Sequence, residues 1–522
     1  MRVRGDILRT YQSVHTWTGI VAGLVLFIGF YAGSLTMFEE EITQWATPPS
    51  HHLPQVTIDK IDNLITKALD TSENAQQGFK INFNDASSPM TWYEKKGGRG
   101  LYLDNVMVHA TLSAQGDLIT RTEPTNELGD LIDMLHRTAG IAGKVGHENL
   151  GVLVLGVASI LYFLALVSGV IFLLPTLVKT FFSVRKNKGA NRFWLDSHNL
   201  VGVVSLPFHL IIAWSVVVFA FHDVLYDGLD LVYGKKPIFE QAKSAPVNYS
   251  ASQLPPISTY IDKVNELTEG YSIKYIEFSR LSTQRPSVAI SVMNTAEMMR
   301  NNTGDFIYMN PYTLAPAFSS ISMSEDDYYV SYVASFFSLH FGGFGGELGR
   351  WLYFVMGLLG AFLFYSGNLL WLEKRRQKKP IQSKSNRFMA NLTIGVCLGS
   401  ILAVVVTLLA SKWLYLINAK INNSYVTCYY LVFFAVLIYS FVFGAAKSAI
   451  HMQKIIALTC LCIPITTLVA ITTPIFSQWN LNAFSNSAID ISALIFAAIF
   501  YYGALKTKKR AYFGERNSIW AL

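Results

Sequence analysis

The sequence predicts an all-α integral membrane core of about eight transmembrane helices, the first four set out as two parallel repeats, with two small α+β inserts outside the cytoplasm. Three observations predict it: the composition is too apolar for water, the uncharged stretches are long enough to span a bilayer, and the histidines recur in matched places. Of 522 residues, 51% are hydrophobic and only 15% are charged, which is unlike a soluble domain of this size.

Eight stretches carry no Asp, Glu, Lys or Arg: residues 10–38, 149–178, 197–222, 351–372, 388–411, 421–446, 455–489 and 491–505. A helix needs roughly 20 residues to cross the hydrocarbon core, and all but the last exceed that. The last reaches it by starting earlier, with Asp490 among the headgroups. The first span has a basic start, but its apolar run is too long for a signal peptide and ends in Glu39-Glu40-Glu41 with no small-residue cleavage pattern. It reads as a retained anchor.

Lys and Arg near span ends stay in the cytoplasm. Arg2, Arg4 and Arg9 precede the first span, and Arg185, Lys186, Lys188 and Arg192 follow the second. Lys374 to Lys379 follow the fourth span, Lys447 and Lys454 the sixth, and Lys506 to Arg510 the eighth. Both termini and the ends of all even spans are therefore expected inside. The net charge of +7 is a topology signal, and no nucleic-acid partner is expected. The organisation expected is a first span at 1–38, an insert at 39–146, two spans at 147–222, a second insert at 223–349, a fourth span at 350–372, a basic linker at 373–387, a four-span C-terminal unit at 388–510 and a cytoplasmic tail at 511–522.

Each insert shows helical spacing, at 56–69 and 256–267, followed by short alternating segments at 79–83, 90–94 and 106–112, and at 272–278, 287–292 and 305–309. A helix packed on a small antiparallel sheet in each insert follows, with Ala114-Gln-Gly-Asp117 as a hairpin turn. Neither insert shows a nucleophile clustered with its base, so no catalytic side chain is assigned. The four cysteines lie in the last four spans without a CxxC pair, a pattern of apolar packing.

Four landmarks, one of them the outside insert that follows the first, occur twice in the same order. His15-Thr-Trp-Thr-Gly19 opens the first span and His198-Asn-Leu-Val-Gly202 the third. Leu135-His136 precedes the second span and Leu339-His340 the fourth, and Ser168-Gly169 and Ser366-Gly367 mark their inner ends. Both copies enter the membrane in the same direction, as parallel repeats do. Ionisable groups in a membrane are functional candidates by default. Opposed imidazoles from separate helices suit a bis-histidine b-type haem. His15 with His198 would hold one haem at the inner face, and His136 with His340 a second at the outer. Gly19 and Gly202, one turn after their histidines, would clear space for a flat porphyrin, and Trp17, Phe341 and Phe344 would wall the pockets. His147, His209 and His222 are alternative ligands. His209 follows His198 by 11 residues, about three turns along the same helix face. His51, His52 and His109 read as ordinary interfacial histidines, and His451 falls on a predicted cytoplasmic loop.

At these residues the chain resembles the PepSY-associated transmembrane helix family, which includes iron-regulated inner-membrane proteins and ferric siderophore reductases. The likeness rests on His15-x-x-x-Gly19, Leu135-His136, Asp196-Ser-His198 with Gly202, Leu339-His340-Phe-Gly342, and the run from Ser366 to Arg376, over about residues 5–380. The resemblance implies PepSY-type inserts in the periplasm, haem b in the first four helices, a bacterial inner-membrane location and electron delivery to a ferric siderophore or other ferric chelate. Reduction would loosen such a chelate, because Fe(II) binds hard oxygen ligands less well than Fe(III). No dinucleotide-binding fingerprint or flavin domain is evident, so a quinol or a separate reductase would supply the electrons. Two other classes fit less: a non-enzymatic module binding peptides or restraining a protease, and a transporter, which would show more ionisable groups near the bilayer midplane.

Overall fold

The computed structural model describes residues 4–48, 53–83, 88–97, 101–146, 148–176, 184–185, 190–233, 249–301, 304–321, 328–376, 381–417, 420–472 and 484–522. Its helices in chain order are α1 (Gly5–Thr36), α2 (Glu39–Ala46), α3 (Ile58–Thr71), α4 (Glu73–Gln77), α5 (Leu128–Thr138), α6 (Leu150–Leu173), α7 (Ala190–Val204), α8 (Leu206–Tyr233), α9 (Ile257–Leu267), α10 (Tyr328–Phe341), α11 (Gly346–Arg376), α12 (Lys384–Leu416), α13 (Ile421–Phe443), α14 (Ala445–Thr472) and α15 (Phe484–Phe513). Two compact units form: a helical one from Met1–Ala46, Leu128–Leu225 and Leu352–Leu522, and a sheet unit from Thr47–Glu127 and Tyr226–Trp351.

Among the described residues, eight helices are long and apolar enough to cross a membrane: α1, α6, α8 and α11 to α15. The span count agrees with the sequence; the details do not always. The third apolar stretch is divided at Ser205 into α7 and α8, because Pro207 has no N–H to bond Val203. His198 and His209 thus lie on successive helices, and their 11-residue spacing does not define one face. The sixth and seventh spans are joined through Gly444 alone, at φ 78°. Lys447, Lys454 and His451 consequently lie inside α14, and His451 Nδ1 meets the Tyr439 hydroxyl at 2.6 Å. Asp490, expected among headgroups, is buried within α15.

The segments α2 and α5, expected in the first insert, belong to the helical unit. In α5 the positions Leu128, Leu131, Ile132 and Leu135 recur at helical spacing and are each at most 2% exposed. Burying such side chains is worth about 1.5–3 kcal/mol apiece, enough to hold an 11-residue helix that would not be stable alone.

The inserts depart most from expectation, because they share one sheet. The strands β1 (Gly78–Asn82), β2 (Met90–Lys95), β3 (Val106–Leu112) and β4 (Leu118–Pro124) come from the first, and β7 (Ser272–Ser279), β8 (Ser287–Met293), β9 (Asp305–Met309) and β10 (Pro316–Ser319) from the second. A short hairpin of β5 (Lys144–Val145) and β6 (Glu148–Asn149) stands apart. The order is β10-β9-β8-β7-β1-β2-β3-β4, with β1 and β7 antiparallel from Gly78↔Ser279 to Asn82↔Tyr275. Two separate meanders would each have left an open edge here. Joining them pairs those edges and stacks Phe79 on Phe278 at 4.6 Å. One core then runs through both inserts, with Leu64 and Ala68 of α3 and Tyr260 and Val264 of α9 buried against the strands. Strand β4 follows the expected turn, where Gly116 takes φ 87°.

Candidate histidine site

His15 on α1 and His198 on α7 come together, with ring centroids 6.3 Å apart and planes at 77°. Each is oriented from behind. His15 Nδ1 donates to the carbonyl of Ala165 on α6 at 2.8 Å. His198 Nδ1 lies 2.9 Å from the hydroxyl of Ser366 on α11, which itself donates to the Leu363 carbonyl. That hydroxyl therefore accepts from the imidazole. In both rings Nδ1 carries the proton and the lone pair is left on Nε2, the arrangement that second-shell partners give to metal-ligating histidines.

The serine–glycine landmarks of the sequence lie against these rings. A Cβ at Gly169 would sit 2.9 Å from His15 Nδ1, and one at Gly367 would sit 3.5 Å from His198 Cε1. At Gly19 a Cβ would meet nothing within 4 Å, and at Gly202 only Leu363 at 3.7 Å. Helices α7 and α11 also carry two buried carboxylates. Asp196, two residues before His198, is held by Arg185 at 2.7 Å and Arg192 at 3.1 Å. Glu373 accepts from Arg376 at 2.7 Å and from Asn191 at 3.1 Å.

His136 occupies a second place on α1. Its Nδ1 donates to the Gly29 carbonyl at 2.9 Å, and its ring fills the space beside Gly33, where a Cβ would come within 2.5 Å. Gly33 follows His15 by 18 residues, five helical turns, so both histidines address one face of α1 about 27 Å apart. His340, the expected partner of His136, lies near the C-terminal end of α10 in the sheet unit, where Gly342 at φ 68° closes the helix.

The alternative ligands separate clearly. His222 is half exposed, with Nδ1 on the Phe219 carbonyl and Nε2 2.9 Å from Asp223. With both nitrogens engaged it is a poor ligand, and it lies beside the kink at Phe221. His209 is fully buried, and among the described residues neither nitrogen has a hydrogen-bond partner. It is surrounded by Phe30 at 5.6 Å, Phe208 at 5.3 Å and Tyr162 at 6.0 Å. His147, like His51 and His52, lies outside the described residues. His109 is in β3, 2.9 Å from the Ser88 hydroxyl.

Sequence reasoning missed Gly29 and Gly33, the residues that receive His136. The signal was there as a Gly-x-x-x-Gly, which in apolar helices marks close approach of another element. It also missed the carboxyl group of Glu39 at the start of α2, which burial beside Asp133 and Asp130 pushes up to about 8 against the opposing pull of Arg137.

Among the described residues no three His, Cys, Asp or Glu side chains are grouped to hold a bare metal ion. An axial haem site asks for less: two imidazoles on opposite sides of the iron. With metal–nitrogen bonds of about 2 Å and each nitrogen roughly 1 Å from its ring centre, the centroids should be about 6 Å apart. His15 and His198 meet that requirement in separation and tautomer.

Among the described residues, eight helices long and apolar enough to cross a bilayer define a multi-pass membrane protein. The model of the PepSY-associated TM region matches residues 12–374, and the chain belongs to that family. A comparison with curated proteins finds no match. The matched region ends within α11, so α12 to α15 lie beyond it.

Proposed function

We propose that this protein is a transmembrane b-type haem reductase, carrying electrons from the cytoplasmic side to a ferric chelate, of the ferric siderophore class, on the other side of a bacterial inner membrane. The observation that carries this reading is the His15–His198 pair, set at 6.3 Å with both Nδ1 atoms already engaged. Bound haem would supply a one-electron carrier.

The residues have separable roles. His15 and His198 would hold the inner haem, and the Ala165 carbonyl and Ser366 hydroxyl keep their basic nitrogens directed away from the backbone. His136, fixed by the Gly29 carbonyl, would give one ligand of an outer haem, and His340 the other. Arg185, Arg192 and Arg376 neutralise the buried Asp196 and Glu373 on the helices that carry His198 and its partner Ser366. The PepSY-type inserts would receive the chelate. The electron donor would be a quinol or a separate reductase.

The test is the absorption spectrum of protein purified from haem-replete cells. A b-type spectrum that appears on dithionite reduction and reoxidises on adding a ferric hydroxamate supports the reading. Its absence from folded protein overturns it.

A further inference from the structure

We infer that the four C-terminal helices brace α5 and so set the position of His136, with Tyr430 and the buried Lys412–Asp490 pair as positioning residues; the inference rests on His136 being a haem ligand. These helices lie beyond the family match, and nothing in an axial haem site requires them.

Two independent attachments support it. The first is to α5 itself. Leu128, Leu131, Ile132 and Leu135 face Val404 and Thr407 of α12 and Tyr429 of α13. Immediately after α5, Tyr430 donates its hydroxyl to the Gly140 carbonyl at 2.9 Å. Gly140 turns at φ 73°, and a Cβ there would press on Leu135 at 3.2 Å. Leu135 immediately precedes His136, so the apolar face and the hydroxyl together hold the C-terminal end of α5 and the turn that follows it.

The second attachment is to α2, which packs on α5 so tightly that a Cβ at Gly129 would lie 2.5 Å from Thr43 and 2.7 Å from Glu39. Trp45 of α2 is almost wholly buried and donates its indole N–H to Asp490 of α15 at 3.4 Å. Lys412 of α12, 1% exposed, sits 3.9 Å over the Trp45 ring and donates to Thr467 of α14, which in turn donates to Asp490, each at 2.9 Å. A lysine and an aspartate inside apolar helices are costly unless compensated. Here the compensation is completed by a residue of α2, so the charges are in place only when α2 is docked. The helices before and after the 47–127 segment are thus both fastened to the C-terminal four.

The experiment uses the full-length haem-loaded protein and compares wild type with Tyr430→Phe, Asp490→Asn and the apolar double variant Lys412→Met/Asp490→Leu. Two signals are read: amide hydrogen exchange of residues 128–138, and the redox midpoint and paramagnetic signature of each haem. Tyr430→Phe should raise exchange across 128–138 about fivefold, as the loss of one hydrogen bond would, and shift the signature of the His136 haem while leaving the His15–His198 haem as internal control. Asp490→Asn should raise exchange further. If it does not fold, the double variant, which removes both charges together, takes its place. Unchanged exchange in Tyr430→Phe and the double variant overturns the brace, as does an equal shift of both haems. A wild-type protein without haem sinks the proposed function instead, while the exchange signal still decides whether the brace exists.

Discussion

The His15–His198 pair and the buried His209 are both histidines in apolar surroundings, yet the helical unit treats them in opposite ways. His15 and His198 each have one nitrogen engaged by an oxygen on a second helix, while among the described residues neither nitrogen of His209 is engaged. An unpartnered buried polar group costs roughly 1–3 kcal/mol, so His209 is a liability that its aromatic neighbours do not relieve. A ligand needs a fixed tautomer and a fixed direction, which His15, His198 and His136 have from oxygens on other helices. Burial alone therefore does not identify a site, and neither does an engaged Nδ1 alone, since His222, His109 and His451 have one too.

The largest expected effect separates the two proposed haem sites. His15→Ala or His198→Ala should abolish the inner haem signal and lower haem content towards one per chain, with the outer signal retained. His136→Ala and His340→Ala should do the reverse and block chelate reduction while the inner haem can still be reduced. Haem quantification with reduced-minus-oxidised spectra checks both. Two haems retained in both outer variants would hand that ligand role to His147 or His209, and the distinction drawn above would collapse. His209→Leu should otherwise keep both haems.

A smaller effect is expected from the surroundings of the rings. Ser366→Ala removes the partner of His198 and should weaken haem retention about 10- to 100-fold, as second-shell losses at metal sites do, whereas Ser366→Thr should preserve it. Gly33→Val, which pushes into the His136 ring, should disturb the outer haem, and Gly169→Val the inner one. If either substitution disturbs the wrong haem, the assignment of rings to helix faces fails.

The smallest effect is on stability. The carboxyl group of Glu39 is raised to about 8 by burial and by Asp133 and Asp130, against about 4.3 in an unfolded chain. The folded state thus favours the protonated form: its stabilising contribution is complete below the unfolded value and is lost as pH rises through about 8. Glu39→Gln should match wild type near pH 4 and melt at a higher temperature at pH 9. A melting difference that is the same at both pH values would show that Glu39 is not buried as a neutral acid.

Much of this organisation was legible in the sequence, and what escaped did so for physical reasons. Eight spans follow from charge-free runs because a membrane imposes a minimum length. The strands β1 to β3 and β7 to β9 follow from alternation because one face of each is buried. Strand β4 was not read: at the sheet edge its burial is almost nil, so no alternation is required of it. The shared sheet was not read either, since pairing of Phe79 with Phe278 joins segments that carry no mark of one another. Lys412 looked like the end of a span because it follows a charge-free run, and only contact with Trp45 and Thr467 reveals it as interior. Among the histidines, the two His-x-x-x-Gly motifs lie on α1 and on α7, the latter a separate helix before the third span, while the glycines packed against the two rings come from other helices.

The junction of β1 with β7 has a consequence for synthesis. Strand β1 ends at Asn82 and its partner begins at Ser272, so one edge waits while roughly 190 further residues are made. At about 5–20 residues per second, the first half of the sheet stands open for some ten to forty seconds, with two further apolar spans being inserted in the meantime. Whatever shields that edge during the interval determines how much of the chain reaches its native sheet rather than a neighbour's.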